Sequence, residues 1–83
     1  MSRNRATRTK DERFMATLYE MALETGEIDT AFSRYEVGTR AVLTDKAVDT
    51  ICKLLIQANF IRKREEDQVY LTPHGMKLAA ELV

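Results

Sequence analysis

Cysteine, proline and histidine each occur once in these 83 residues, glycine three times and tryptophan not at all. A lone Cys52 forms no internal disulfide. With His74 as the single imidazole, no set of three or four soft ligands for zinc can be assembled. No apolar run exceeds three residues, as in Ala41-Val42-Leu43 and Leu54-Leu55-Ile56, against the roughly 18 that a membrane span needs. The N-terminus has the basic start of an export signal but no apolar stretch after it, so the expectation is a cytoplasmic protein with no membrane partner. Glycine-rich phosphate loops, metal-ligand spacings and paired carboxylates tied to a pocket are also missing. The chain therefore reads as a non-enzyme with no cofactor and no metal, and its stability has to come from packing.

What is present is a high content of core-forming residues, 45% hydrophobic, beside 31% charged. That is the balance of one small globular domain. Thirteen basic residues match thirteen acidic ones, so net charge gives no bulk attraction to nucleic acid or to an anionic surface. The distribution is uneven. Arg3, Arg5, Arg8 and Lys10 stand in the first ten residues without an acid, which leaves residues 11–83 at −4. We read residues 1–10 as a basic, flexible arm and 11–83 as the folded domain.

Helix signals punctuate the domain. Thr9-Lys10-Asp11-Glu12 has the form of a capping box, opening a helix that runs to about Thr25 and stops at Gly26. On it Phe14, Met15, Leu18, Tyr19, Met21, Ala22 and Leu23 form an apolar side, with Arg13, Thr17, Glu20 and Glu24 opposite. Residues 26–32 are too short to decide between a loop and one short strand. Ser33-Arg34-Tyr35-Glu36 has the form of a second capping box, for a short helix to about Ala41, with Phe32 and Val37 as its staple. Thr44 then caps a third helix reaching about Ala58, with Asn59 suited to a left-handed end. Its apolar arc is Ala47, Val48, Ile51, Cys52, Leu54, Leu55, Ile56 and Ala58. The polar stripe holds Lys46, Asp49, Thr50, Lys53 and Gln57. Residues 60–72, with β-formers on either side of Glu65-Glu66-Asp67, read as a hairpin with Ile61, Val69 and Leu71 inward. Thr72-Pro73 opens a closing helix with Leu71 and Met76 as staple. The predicted core is Phe14, Leu18, Val37, Val48, Ile51, Leu55, Phe60, Ile61, Val69, Leu71 and Met76. The fold class is α+β, mainly helical.

This order, and above all Tyr35-Glu36-Val37-Gly38-Thr39-Arg40-Ala41-Val42-Leu43-Thr44-Asp45-Lys46-Ala47-Val48, resembles the winged helix-turn-helix domains of bacterial transcription regulators. A second match is Leu71-Thr72-Pro73-His74-Gly75, which is similar to the start of a family C-terminal helix. Val42 departs from the pattern, standing where the family often has a turn glycine. The resemblance implies a three-helix core with a hairpin wing and a closing fourth helix. It also implies sequence-specific binding to double-stranded DNA, with the third helix in the major groove and Thr44, Lys46, Asp49, Thr50, Lys53 and Gln57 facing it. Arg62, Lys63 and Arg64 fit phosphate contact by the wing, and Arg3, Arg5 and Arg8 fit the same role in the arm. Asp45, Asp49 and the acidic tip oppose a polyanion.

A regulator of this kind is expected to bind a two-fold site as a homodimer, through the first helix or the Ala79, Leu82 and Val83 face of the last. Zero net charge favours a different class, a winged-helix adaptor that binds another protein and no nucleic acid. Cys52 is expected to be a buried small hydrophobe, and His74 a surface or capping residue.

Overall fold

The computed structural model describes residues 8–83 and has four helices and a three-stranded antiparallel sheet. Arg3 and Arg5, two of the arm residues assigned to DNA, lie outside the described residues. In chain order the elements are α1 Lys10–Thr25, β1 Phe32–Ser33, α2 Arg34–Arg40, α3 Asp45–Gln57, β2 Ile61–Lys63, β3 Gln68–Leu71 and α4 Pro73–Leu82. No helix among the described residues is long and apolar enough to cross a membrane.

Local chemistry accounts for most of these boundaries. At the start of α1 the Thr9 hydroxyl accepts from the Glu12 amide at 3.2 Å, and the Glu12 carboxylate accepts from the Thr9 amide at 3.0 Å, so both halves of the capping box form. The helix ends in the left-handed conformation at Gly26. The second capping box does not form, although Ser33 still caps the helix. Ser33 Oγ accepts from the Tyr35 amide at 3.3 Å rather than from Glu36, and no return bond from Glu36 is formed. The reason is tertiary: the same hydroxyl donates to Asp67 Oδ2 at 2.8 Å, which draws the side chain toward the hairpin. At α3 the Thr44 hydroxyl accepts from Ala47 N at 3.1 Å. Its far end closes through Asn59 at φ 65°, with Phe60 N donating to Leu55 O at 2.9 Å.

The hairpin pairs Ile61 with Leu71, Arg62 with Tyr70 and Lys63 with Val69. The undecided segment before α2 supplies a third strand. Phe32 and Ser33 pair with Val69 and Gln68, so β3 is central in the order β1-β3-β2 and β2 is an edge. Period-2 alternation then sends Ile61, Val69 and Leu71 into the core, all essentially without solvent contact.

Helix α1 packs against α2, α3, α4 and β3, and its Phe14, Met15, Ala16, Leu18, Met21 and Ala22 are all buried. The core predicted from the sequence is found at its centre, with two differences: Phe60 and Met76 are half-buried at its edge. Cys52, Ala79 and Leu82 complete it. Burial of Ala79 and Leu82 corrects their assignment to a dimer face, because the monomer already covers both. The apolar arc of α3 is also narrower than predicted. Val48, Ile51, Cys52 and Leu55 are covered, whereas Leu54, Ile56 and Ala58 stand in solvent, beyond the reach of the elements packed on this short helix.

Two glycines set distances between elements. A Cβ on Gly38 would lie 2.3 Å from Val48 Cγ2, and a Cβ on Gly75 would lie 1.8 Å from the carbonyl oxygen of Phe60. The first lets α2 cross α3 closely. The second lets the first turn of α4 sit directly on the strand entrance, where Thr72 Oγ1 donates to Asn59 O at 2.6 Å while accepting from Gly75 N at 2.9 Å.

Candidate nucleic-acid interface

Helix α3 leaves one side uncovered. Lys46 and Lys53, seven residues and so two turns apart, share one row, separated along the axis by about 10 Å. Thr50 and Gln57 form a parallel row, and all four are exposed. Thr44, exposed at the N-cap, uses its hydroxyl within the helix end. The Thr50 hydroxyl lies 3.4 Å from Lys46 O, a long bond that leaves it free to turn outward.

Asp49 belongs to the same side by spacing, but its carboxylate is engaged. Tyr35 Oη donates to Asp49 Oδ1 at 2.7 Å and Arg34 Nε at 3.3 Å, while Arg34 Nη2 donates to Tyr35 Oη at 3.0 Å. The hydrogen bond from Tyr35, helped by the Arg34 guanidinium and opposed by partial burial, holds the Asp49 carboxyl below its ordinary value. Through that same bond the Tyr35 hydroxyl is raised above its own. This closed set of three groups ties the first turn of α2 to the middle of α3 and matches the charge of Asp49 with a cation. The link of Arg34 and Tyr35 to Asp49 was not read from the sequence, because 15 and 14 residues, respectively, separate them from it and no local spacing couples them.

Arg62, Lys63 and Arg64 are all exposed along edge strand β2 and its exit. Arg62 stands opposite Tyr70 in the register, and the Arg64 guanidinium lies 5.1 Å from the Tyr70 ring centre, a cation–π distance. Of the acidic tip, Asp67 is drawn inward. It accepts from Ser33 through its side chain and from Arg34 N through its carbonyl at 2.9 Å, so its carboxylate lies beside the N-terminus of α2, where the helix dipole favours it. Glu65 and Glu66 stay exposed. Next to β2, Asn59, Arg62, Tyr70, Thr72, Pro73 and His74 line a shallow cleft, with the exposed His74 stacked on Phe60 at 4.6 Å.

Arg8 Nη2 donates to the carbonyl of Leu82, the last residue of α4, so this arm residue is engaged within the protein. Cys52 is buried among the core residues, and that burial pushes its thiol up to about 11, which makes it a poor nucleophile. No protein-family model, curated protein or solved structure matches this chain.

Proposed function

We propose that this chain is a winged helix-turn-helix module, a small transcription regulator that binds double-stranded DNA by inserting α3 into the major groove, with the β2–β3 hairpin as its wing. The observation that carries this reading is the uncovered side of α3. Two lysines and two uncharged hydrogen-bonding side chains project from it, and of the two carboxylates on the helix Asp49 is satisfied by Arg34 and Tyr35 while Asp45 stays exposed in the first turn. Lys46 and Lys53 would contact phosphates or guanine, while Thr50 and Gln57 would read base edges. Arg62 and Arg64 would anchor the wing on the backbone. Two copies on a two-fold site would double these few phosphate contacts.

Binding to random-sequence duplex DNA at two salt concentrations, followed by selection for a preferred site, tests the proposal. The expected result is an affinity that falls with salt by about 0.9 logarithmic units per neutralised phosphate for each logarithmic unit of salt, together with an enriched sequence. A second reading, a protein-interaction adaptor of the same architecture, is favoured by one observation. Leu54 and Ile56 are 57% and 37% exposed on α3 itself, and large apolar side chains beside a recognition surface suit a protein partner. Absence of duplex binding even at low salt would select that reading.

A further inference from the structure

A shallow groove of about 390 Å³ separates the start of α1 from the first two turns of α3, lined by Lys10 on one side and by Thr44, Lys46, Ala47, Thr50 and Ile51 on the other. Its floor is apolar. Ile51 is buried and Ala47 half-buried, while both lysines are exposed. Neither lysine makes an ion pair among the described residues, and no carboxylate enters the lining. Asp11, next to Lys10, accepts from the Thr9 hydroxyl. Asp45 is exposed, but at 100° per residue it projects from α3 on the far side of Lys46 from Ala47. Local helix chemistry calls for neither cation, since Lys10 opens α1 and Lys46 is second in α3, in first turns where the helix dipole opposes positive charge.

Resting on the DNA-binding reading above, we propose that this groove takes part of the duplex, with Lys10 on a backbone phosphate and the apolar floor on the 5-methyl group of a thymine. A helix lying in the major groove, about 12 Å wide, has a phosphate backbone along each flank, so cations on the elements beside it are placed to reach those backbones. On the α2 flank Arg34 is engaged with Asp49 and Tyr35. On the α1 flank Lys10 has no such partner among the described residues. Between Lys10 and the row of Lys46, the surface that a base edge would meet is Ala47 with the methyl side of Thr50. The thymine methyl is the one apolar group that a base presents in the major groove.

Lys10→Gln and Ala47→Ser are compared with the native chain on the duplex selected for preferred binding, and each thymine of that duplex is replaced in turn by deoxyuridine, which lacks only the methyl group. Lys10→Gln should lower affinity for all sequences alike and reduce the salt slope by about one unit. Its melting midpoint should be no lower than that of the native chain, because a cation opposed by the helix dipole has been removed. One deoxyuridine replacement should weaken binding of the native chain about fourfold, the worth of burying one such methyl group, and should leave binding of Ala47→Ser unchanged. An unaltered salt slope in Lys10→Gln overturns the proposal. So does a duplex in which no replacement weakens binding, or one on which Ala47→Ser responds as the native chain does. Lys53→Ala separates this failure from that of the DNA reading: if it lowers affinity while Lys10→Gln does not, the groove contact is wrong and DNA binding by α3 stands. If the native chain binds no duplex even at low salt, both fall.

Discussion

Val42 is the residue under greatest backbone constraint. It connects α2 to α3 at φ 60° and is 84% exposed, so a β-branched side chain sits in the left-handed region with almost no packing in return. That conformation costs a non-glycine residue about 1 to 2 kcal/mol, part of which glycine gives back in chain entropy. Val42→Gly should therefore stabilise the protein by about 1 kcal/mol, seen as a rise of about 4 to 8 °C in the melting midpoint of a domain this size. A second prediction at this scale concerns Asp49. Its carboxyl titrates lower in the folded chain than in the unfolded one, from an ordinary value of 3.8. The stabilisation is complete above that value and is lost as pH falls through the lower folded one. The stability advantage of the native protein over Asp49→Asn should thus be constant near neutrality and shrink below pH 3.8, as read by denaturant unfolding at a series of pH values.

At the scale of elements, α3 carries both packing and the proposed recognition, on opposite sides. Leu55 is 5% exposed and its carbonyl accepts the Phe60 amide that closes the helix. Leu55→Ala should cost about 2 to 5 kcal/mol, measured as a lowered denaturation midpoint with the slope unchanged. On the outer side the proposed roles divide by charge. Lys53→Ala and Arg62→Ala should each lower DNA affinity and reduce the salt slope by about one unit. Thr50→Ala and Gln57→Ala should alter sequence preference while leaving the slope in place, because uncharged contacts release no counterions. Salt-dependent titrations on two duplexes of different sequence separate these effects. Helix caps and hairpin turns were readable at this scale because each rests on residues within four or five of one another, as at Thr9, Thr44, Asn59 and Thr72. The Ser33 cap departed from its box because a partner 34 residues away, Asp67, competed for the same hydroxyl.

For the whole molecule, the apolar side of α1 is consumed by α2, α3, α4 and β3. The homodimer of the proposed function must accordingly use what the monomer leaves exposed, including Leu23 on α1 and Val83 after α4. Sedimentation equilibrium at tens of micromolar should give a dimer mass, and Leu23→Glu should shift it toward the monomer. A monomer at every concentration would remove the dimer from the proposal.

The order of the four helices and the hairpin, the caps at Thr9, Thr44 and Thr72 and the centre of the core followed from sequence alone, because capping hydrogen bonds and the 3.6- and 2-residue periods act over a few residues and do not depend on what lies across the molecule. The candidate stripe of α3 was legible for the same reason. Pairing of Phe32–Ser33 onto β3, the placement of Asp49 beside Arg34 and Tyr35, the exposure of Leu54 and Ile56, and the burial of Ala79 and Leu82 were decided only by tertiary structure. Each is set by which element comes to lie against which, and the groups involved are brought together from positions too distant in the chain for any local pattern to couple them.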